Sequence, residues 1–151
     1  MPVAKLKEFL DANGVKYVSI SHSRAYTTME VAASAHIRGK EVAKAVMVNL
    51  DGKLAMAVVP GSRKVVLDML AKGTGARKAE LATEQEFGAS FPGCEVGAMP
   101  PFGNLYGLEV YVDPRLAEDV EIAFNAGSHA ELIRMSYQDF ERLAKPKMVQ
   151  M

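Results

Sequence analysis

The period of the apolar positions changes several times along the chain, and each change marks an element. Val3, Leu6, Phe9 and Leu10 recur at helical spacing and predict an N-terminal helix that stops at Gly14. Tyr17 to Ser21 reads as a short strand. Thr27 with Glu30 forms a capping box, opening a helix through Met29 to Ala35. Val42 to Leu50 and Lys53 to Val59 then flank Asp51-Gly52, a dipeptide suited to the left-handed geometry of a tight hairpin turn. Pro60-Gly61 ends the hairpin. Ser62 is placed to cap a helix bearing Val65, Val66, Met69 and Leu70, with Gly73 just past its end.

Farther on, Thr83 with Glu86 makes a second capping box, starting a short helix toward Phe91 that Pro92-Gly93 closes. Leu108 to Val112 and Val120 to Asn125 alternate as strands do, and Leu132 to Met135 reads as a third strand of that group. Ser136 caps a last helix carrying Tyr137, Phe140 and Leu143, and Pro146 stops it. Strands lie mostly beside strands, with helices at the ends and in one central block. That order predicts a mixed, mainly antiparallel α+β fold rather than a βαβ repeat. No linker, repeat or low-complexity tract interrupts it, so residues 1–151 read as one domain.

Composition narrows the class. At 151 residues and 49% hydrophobic, the chain is large enough for a real core. Lys+Arg and Asp+Glu number 18 each, which excludes polyanion binding by bulk charge and leaves only a local basic patch. One cysteine, Cys94, excludes an internal disulfide and fits a reducing compartment. No apolar run reaches the roughly 18 residues of a membrane span, and no signal-peptide pattern opens the chain, so a cytoplasmic protein is expected. The nine methionines read as core filling.

Candidate chemistry is sparse. Three scattered histidines and one cysteine lack metal-ligand spacing, and no P-loop, G-x-G-x-x-G or G-x-S-x-G motif is present; neither metal nor cofactor is expected. Lys44 shares a strand face with Val42, Val46 and Val48. It either snorkels its ammonium to water or offers it to a phosphate or carbonyl at the sheet end. His129 follows Asn125-Ala126-Gly127-Ser128 in a small-residue turn, either exposed or beside a ligand, and His22 sits at another strand end. Gly97-Ala98-Met99-Pro100-Pro101-Phe102-Gly103 fits neither a helix interior nor a central strand. It holds no acid, base or nucleophile, so any chemistry there uses main-chain groups.

Taken in order, the Thr27-Thr28-Met29-Glu30 helix start, Lys44 within Ala43-Lys44-Ala45-Val46, the G-x-x-x-P loop from Gly97 to Pro101 and the Asn125 to His129 strand end resemble the YbaK/ProX aminoacyl-tRNA-editing superfamily. That superfamily also supplies the insertion domain of bacterial prolyl-tRNA synthetase. The resemblance runs from His22 to Phe140 and implies a barrel-like sheet with surrounding helices. It also implies hydrolysis of a small amino acid (Ala, Cys, Ser or Thr) from mischarged tRNA.

By the same resemblance Lys44 contacts the terminal phosphate or ribose, and Gly97, Ala98, Met99, Pro100 and Pro101 line the aminoacyl pocket with backbone groups. His129 positions substrate or water, with His22 and Tyr26 at the pocket wall. A synthetase or elongation factor is the implied partner besides tRNA. Proline at the fourth loop position, Pro100, departs from the family pattern and stiffens the loop. Two other readings share these residues: a non-catalytic aminoacyl- or nucleotide-binding module, and an esterase for small non-tRNA substrates.

Overall fold

The computed structural model describes residues 2–21, 41–87, 98–127 and 131–151. Helix α1 (Pro2–Ala12) buries Leu6 and Leu10 completely. It ends where Gly14 takes φ +67° and the Val15 N–H returns to the Leu10 carbonyl at 3.1 Å. Strand β1 (Tyr17–Ser21) follows, and the predicted 29–35 helix lies outside the described residues. Strands β2 (Ala43–Leu50) and β3 (Lys53–Pro60) form the expected hairpin. Its turn has Asp51 at φ 52° and Gly52 at φ 83°, the doubly left-handed pair a two-residue turn needs. The Asp51 carboxylate caps this end by accepting the N–H groups of Arg77 at 3.1 Å and Lys78 at 2.9 Å.

Helix α2 (Leu67–Thr74) corrects the expectation at both ends. Ser62 does not cap it: the Arg63 N–H bonds the Pro60 carbonyl, so this stretch is spent on a turn and the helix starts after Val66. Gly73 lies inside the helix, and Gly75, at φ 78°, ends it. Gly73 is there for space, because a Cβ would fall 2.3 Å from Cγ1 of Val149. Strand β4 (Ala79–Leu81) was not foreseen, whereas the Thr83–Glu86 capping box is formed reciprocally at the start of α3 (Glu84–Phe87). The expected continuation to Phe91 lies outside the described residues.

Strands β5 (Val110–Val112), β6 (Glu121–Asn125) and β7 (Glu131–Ser136) match the later readings within two residues. Short 3₁₀ turns at Gly103–Tyr106 and Pro114–Glu118 were not foreseen. Ser136 caps α4 (Tyr137–Ala144) through the Asp139 N–H, as read from the sequence. Beyond Pro146 the chain adds an unforeseen edge strand, β8 (Lys147–Met148).

The result is mixed α+β with two mostly antiparallel sheets. One has the order β1-β7-β6 and the other β4-β2-β3-β5-β8, with β5 parallel to both its neighbours. They meet at a single parallel bridge, Val42 with Ala123, so the expected barrel-like form is not closed among the described residues. The main core centres on Phe102, whose ring lies 5.5–6.0 Å from those of Phe140, Phe124 and Phe9. A second core on the other face of the five-stranded sheet packs Val48, Ala55, Ala57 and Val59 against Leu70 of α2 and Val149.

Candidate active site

The bridge between the sheets builds the site. Paired residues of parallel strands share a face, and side chains alternate with period two. Lys44 on β2 and Asn125 on β6 each stand two residues past the Val42–Ala123 bridge, so the period of two turns both to the side of the bridged pair. That face also carries Val46 and Val48, so the predicted face of Lys44 is the observed one. Past Asn125 the strand turns away. The Ala126 N–H holds the Glu131 carbonyl at 3.1 Å, and the Gly127 N–H, at φ 97°, reaches the Ala98 carbonyl at 2.8 Å. The last bond ties the proline loop to the end of β6, the strand bridged to β2 at Val42.

Lys44 is half-buried, and its ammonium donates to the Arg63 carbonyl at 2.7 Å. Burial and then the neighbouring Lys64 cation hold its pKa below the ordinary lysine value. Arg63 and Lys64 are exposed and have no ion pair among the described residues. Among the described residues the site therefore presents concentrated positive charge without a carboxylate paired to it, although the chain as a whole is neutral.

The loop is locked. Ala98, Met99, Pro100 and Pro101 are all buried, and Met99 and Phe102 reach into the main core. Its side chains are spent on packing, which leaves main-chain groups to face a ligand. Pro100 and Pro101 have no N–H, so only Ala98 and Met99 offer donors on this stretch. Among the described residues these two N–H groups find no acceptor.

Of the residues singled out in the sequence, Ala98 is tied to the end of β6, Met99, Pro100 and Pro101 follow it in the buried loop, and Lys44 stands two residues past the bridge that joins β2 to that strand. Gly97, His22, Tyr26 and His129 lie outside the described residues. Asn125 was missed as a site residue. Its Oδ1 is buried without a hydrogen-bond partner among the described residues, a burden sequence cannot display, although the motif Asn125 to His129 contained it. A cavity of about 210 Å³ at the far end of the hairpin is lined by Asp51, Lys53, Thr74 and Tyr111. Three of its polar side chains are engaged within the chain: Tyr111 donates to Glu109 at 2.7 Å, Thr74 donates to the Leu70 carbonyl at 2.8 Å and Asp51 is capped. No group of three or more His, Cys, Asp or Glu among the described residues can hold a metal ion.

The sequence pattern of the aminoacyl-tRNA editing domain matches residues 22–143, and the chain belongs to that family. The multifunctional Ser/Thr-tRNA deacylase ProXp-y of Escherichia coli strain K12 is 29% identical over 153 residues, covering 96% of this chain and 89% of that protein. The solved structure of hypothetical protein APE2540 superposes with a TM-score of 0.86 at 20% identity, covering 97% of each chain. A protein proposed to trans-edit for prolyl-tRNA synthetase gives 0.82 at 19% identity, over 99% of this chain and 97% of the other. At those identities the two structures carry the fold alone. The chain is thus an enzyme of translation fidelity, a hydrolase of the aminoacyl-tRNA deacylase class whose substrate is an aminoacyl-tRNA.

Proposed function

We propose that the chain acts as a single freestanding domain that removes small amino acids, of the Ala, Cys, Ser or Thr class, from mischarged tRNA. The observation that carries this reading is the Gly127–Ala98 hydrogen bond, which fastens the donor-bearing loop to the end of β6, the strand bridged to the one that bears Lys44. The naming of the relative for Ser/Thr-tRNA supports the small-residue class. Lys44 anchors the terminal phosphate or ribose. The Gly97 to Pro101 backbone holds the aminoacyl group and the attacking water, while His129 positions substrate or water at a wall shared with His22 and Tyr26.

The chemistry asks little of side chains. The ester carbonyl is activated by the adjacent α-ammonium and the vicinal ribose hydroxyl. Water forms a bond to the carbonyl carbon, the ester C–O bond breaks, the ribose oxygen takes a proton and the free amino acid leaves. What the protein supplies is position and stabilisation of the oxyanion, each backbone donor contributing on the order of 10²-fold. The N–H groups of Ala98 and Met99 are the donors suited to this task, and the proline that follows keeps them fixed. Selection is steric, and a methylene is worth only about 1–3 kcal/mol, so the rigidity of Pro100-Pro101 bears directly on which residue fits. The reaction belongs in the cytoplasm, with a synthetase or elongation factor delivering substrate.

The test adds catalytic amounts of protein to tRNAs mischarged with Ala, Cys, Ser or Thr, beside the Lys44→Ala variant. Multiple-turnover release by the wild type and its loss in the variant are expected. Stoichiometric binding without release would overturn the reading in favour of a binding module, and equal cleavage of free aminoacyl esters would favour a general esterase.

A further inference from the structure

We infer that Asn125 contacts the substrate, its amide oxygen accepting a hydrogen bond from the free ribose hydroxyl next to the aminoacyl ester. This rests on the editing reading above and extends it to a residue that neither the family match nor the relatives' names assign.

Three observations carry it. Asn125 Oδ1 is buried and unpartnered among the described residues, so it bears its desolvation cost with no return until a donor arrives. The lack of a partner does not come from a loose chain. Asn125 is registered against Leu132 in β7, and the next two residues are fixed by the Ala126–Glu131 and Gly127–Ala98 bonds. Finally, Asn125 and Lys44 each stand two residues past the Val42–Ala123 bridge and turn to the same side, which puts the amide on the side where the ammonium is offered.

Charge selects the donor. Lys44 has another cation, Lys64, close enough to lower its proton affinity, and no carboxylate among the described residues compensates. The substrate's α-ammonium is repelled from such a place, whereas a neutral hydroxyl is not. At its esterified end an aminoacyl-tRNA carries one free hydroxyl whatever its amino acid, the ribose oxygen vicinal to the ester. Seryl and threonyl groups carry a second on the side chain, so the experiment separates the two sources.

Deacylation is measured for wild type, Asn125→Ala and Asn125→Leu, the last removing the acceptor at similar volume. Each is tried on alanyl- and seryl-tRNA, ending either in ordinary adenosine or in 2′-deoxyadenosine esterified at its 3′ oxygen. On ordinary tRNA both variants should lose about 10- to 100-fold in kcat/KM, with thermal midpoints no lower than wild type for Asn125→Leu. On deoxy-terminated tRNA the wild type should fall to a similar level and the variants should lose nothing further. Equal losses on both termini, or unchanged activity on ordinary tRNA, would overturn the inference. A loss confined to seryl-tRNA would also overturn it, by transferring the contact to the side-chain hydroxyl. Failure of the wild type to deacylate ordinary tRNA would instead strike the editing reading itself.

Discussion

Two ionisable groups flank the same end of β3 and are treated in opposite ways. On one side Lys44 opposes Val59 across the hairpin; on the other, Asp113 follows β5 and donates its N–H to the Val58 carbonyl at 2.9 Å. Asp113 is 1% exposed, yet the Arg115 side chain meets it with two bonds of 2.9 and 2.6 Å and the Arg115 N–H adds a third. Burial pushes its pKa up, but those bonds outweigh burial and hold it below the usual carboxylate range. Lys44 has a neutral carbonyl and a neighbouring cation instead. A buried charge neutralised by its own chain is a structural rivet. Lys44 has no carboxylate partner among the described residues, and on the proposed reading a phosphate of the tRNA terminus takes that place.

The largest expected effect tests the second half of that contrast. Lys44→Met should lower deacylation by 10²-fold or more while leaving the thermal midpoint equal or higher, because an under-compensated ammonium is replaced by an apolar stem of similar length. A variant that lost stability in parallel with activity would make Lys44 a rivet like Asp113 and dissolve the contrast.

Arg115→Ala tests the first half. It leaves the Asp113 carboxylate buried with only backbone partners and releases the Met151 carbonyl, which Arg115 holds at 3.0 Å. Breaking a fully buried pair costs about 3–5 kcal/mol. Arg115 is 39% exposed, so about 2 kcal/mol is the expected loss in denaturant unfolding, with kcat/KM unchanged. The sign in acid follows from the depressed carboxyl. Its stabilisation is complete above the unfolded value near 4 and fades as pH falls through the lower folded value, so the variant should unfold at higher pH than wild type.

How much of this was legible in the sequence depends on how local the cause was. The hairpin, both described capping boxes or caps at Thr83 and Ser136, and the stop at Gly14 were readable because neighbours in sequence make them. Strands β4 and β8 were not, because two or three residues carry no period and their pairing partners lie far along the chain. Gly73 looked like a helix stop and is a contact surface, a role fixed by Val149 some 76 residues later. In the site, Lys44 stood out as a charge on an apolar face. Asn125 did not, since an asparagine at a strand end is ordinary until its oxygen proves buried and unmatched.

Gly73→Ala sharpens the same division with a smaller expected effect. The new methyl would overlap Cγ1 of Val149, a stiff, buried side chain whose N–H also bonds the Val112 carbonyl at 2.9 Å. Overpacking of this kind costs about 1–2 kcal/mol after relaxation. The loss should appear in unfolding and leave the deacylation rate untouched, since the Gly73–Val149 contact is anchored to Val112, next to Asp113 at the β5–β8 edge of the sheet. A selective fall in activity would show that the two sides are coupled.

The smallest effect concerns the proton on Lys44. Its pKa is lowered in the fold by burial and by Lys64, so the folded state holds that proton less tightly than the unfolded chain does. Between the folded value and the unfolded value near 10.5 the unfolded chain binds more protons, and stability attributable to this group rises with pH. At neutral pH the penalty is present in full. Measured from pH 7 to 11, the stability of wild type should therefore gain on that of Lys44→Met. Adenosine 5′-monophosphate, a mimic of the tRNA terminus, should flatten the gain by giving the ammonium its missing anion. A wild type that instead lost ground to the variant as pH rose would mean that the fold already stabilises the charged form, and Lys44 would have no need of a phosphate.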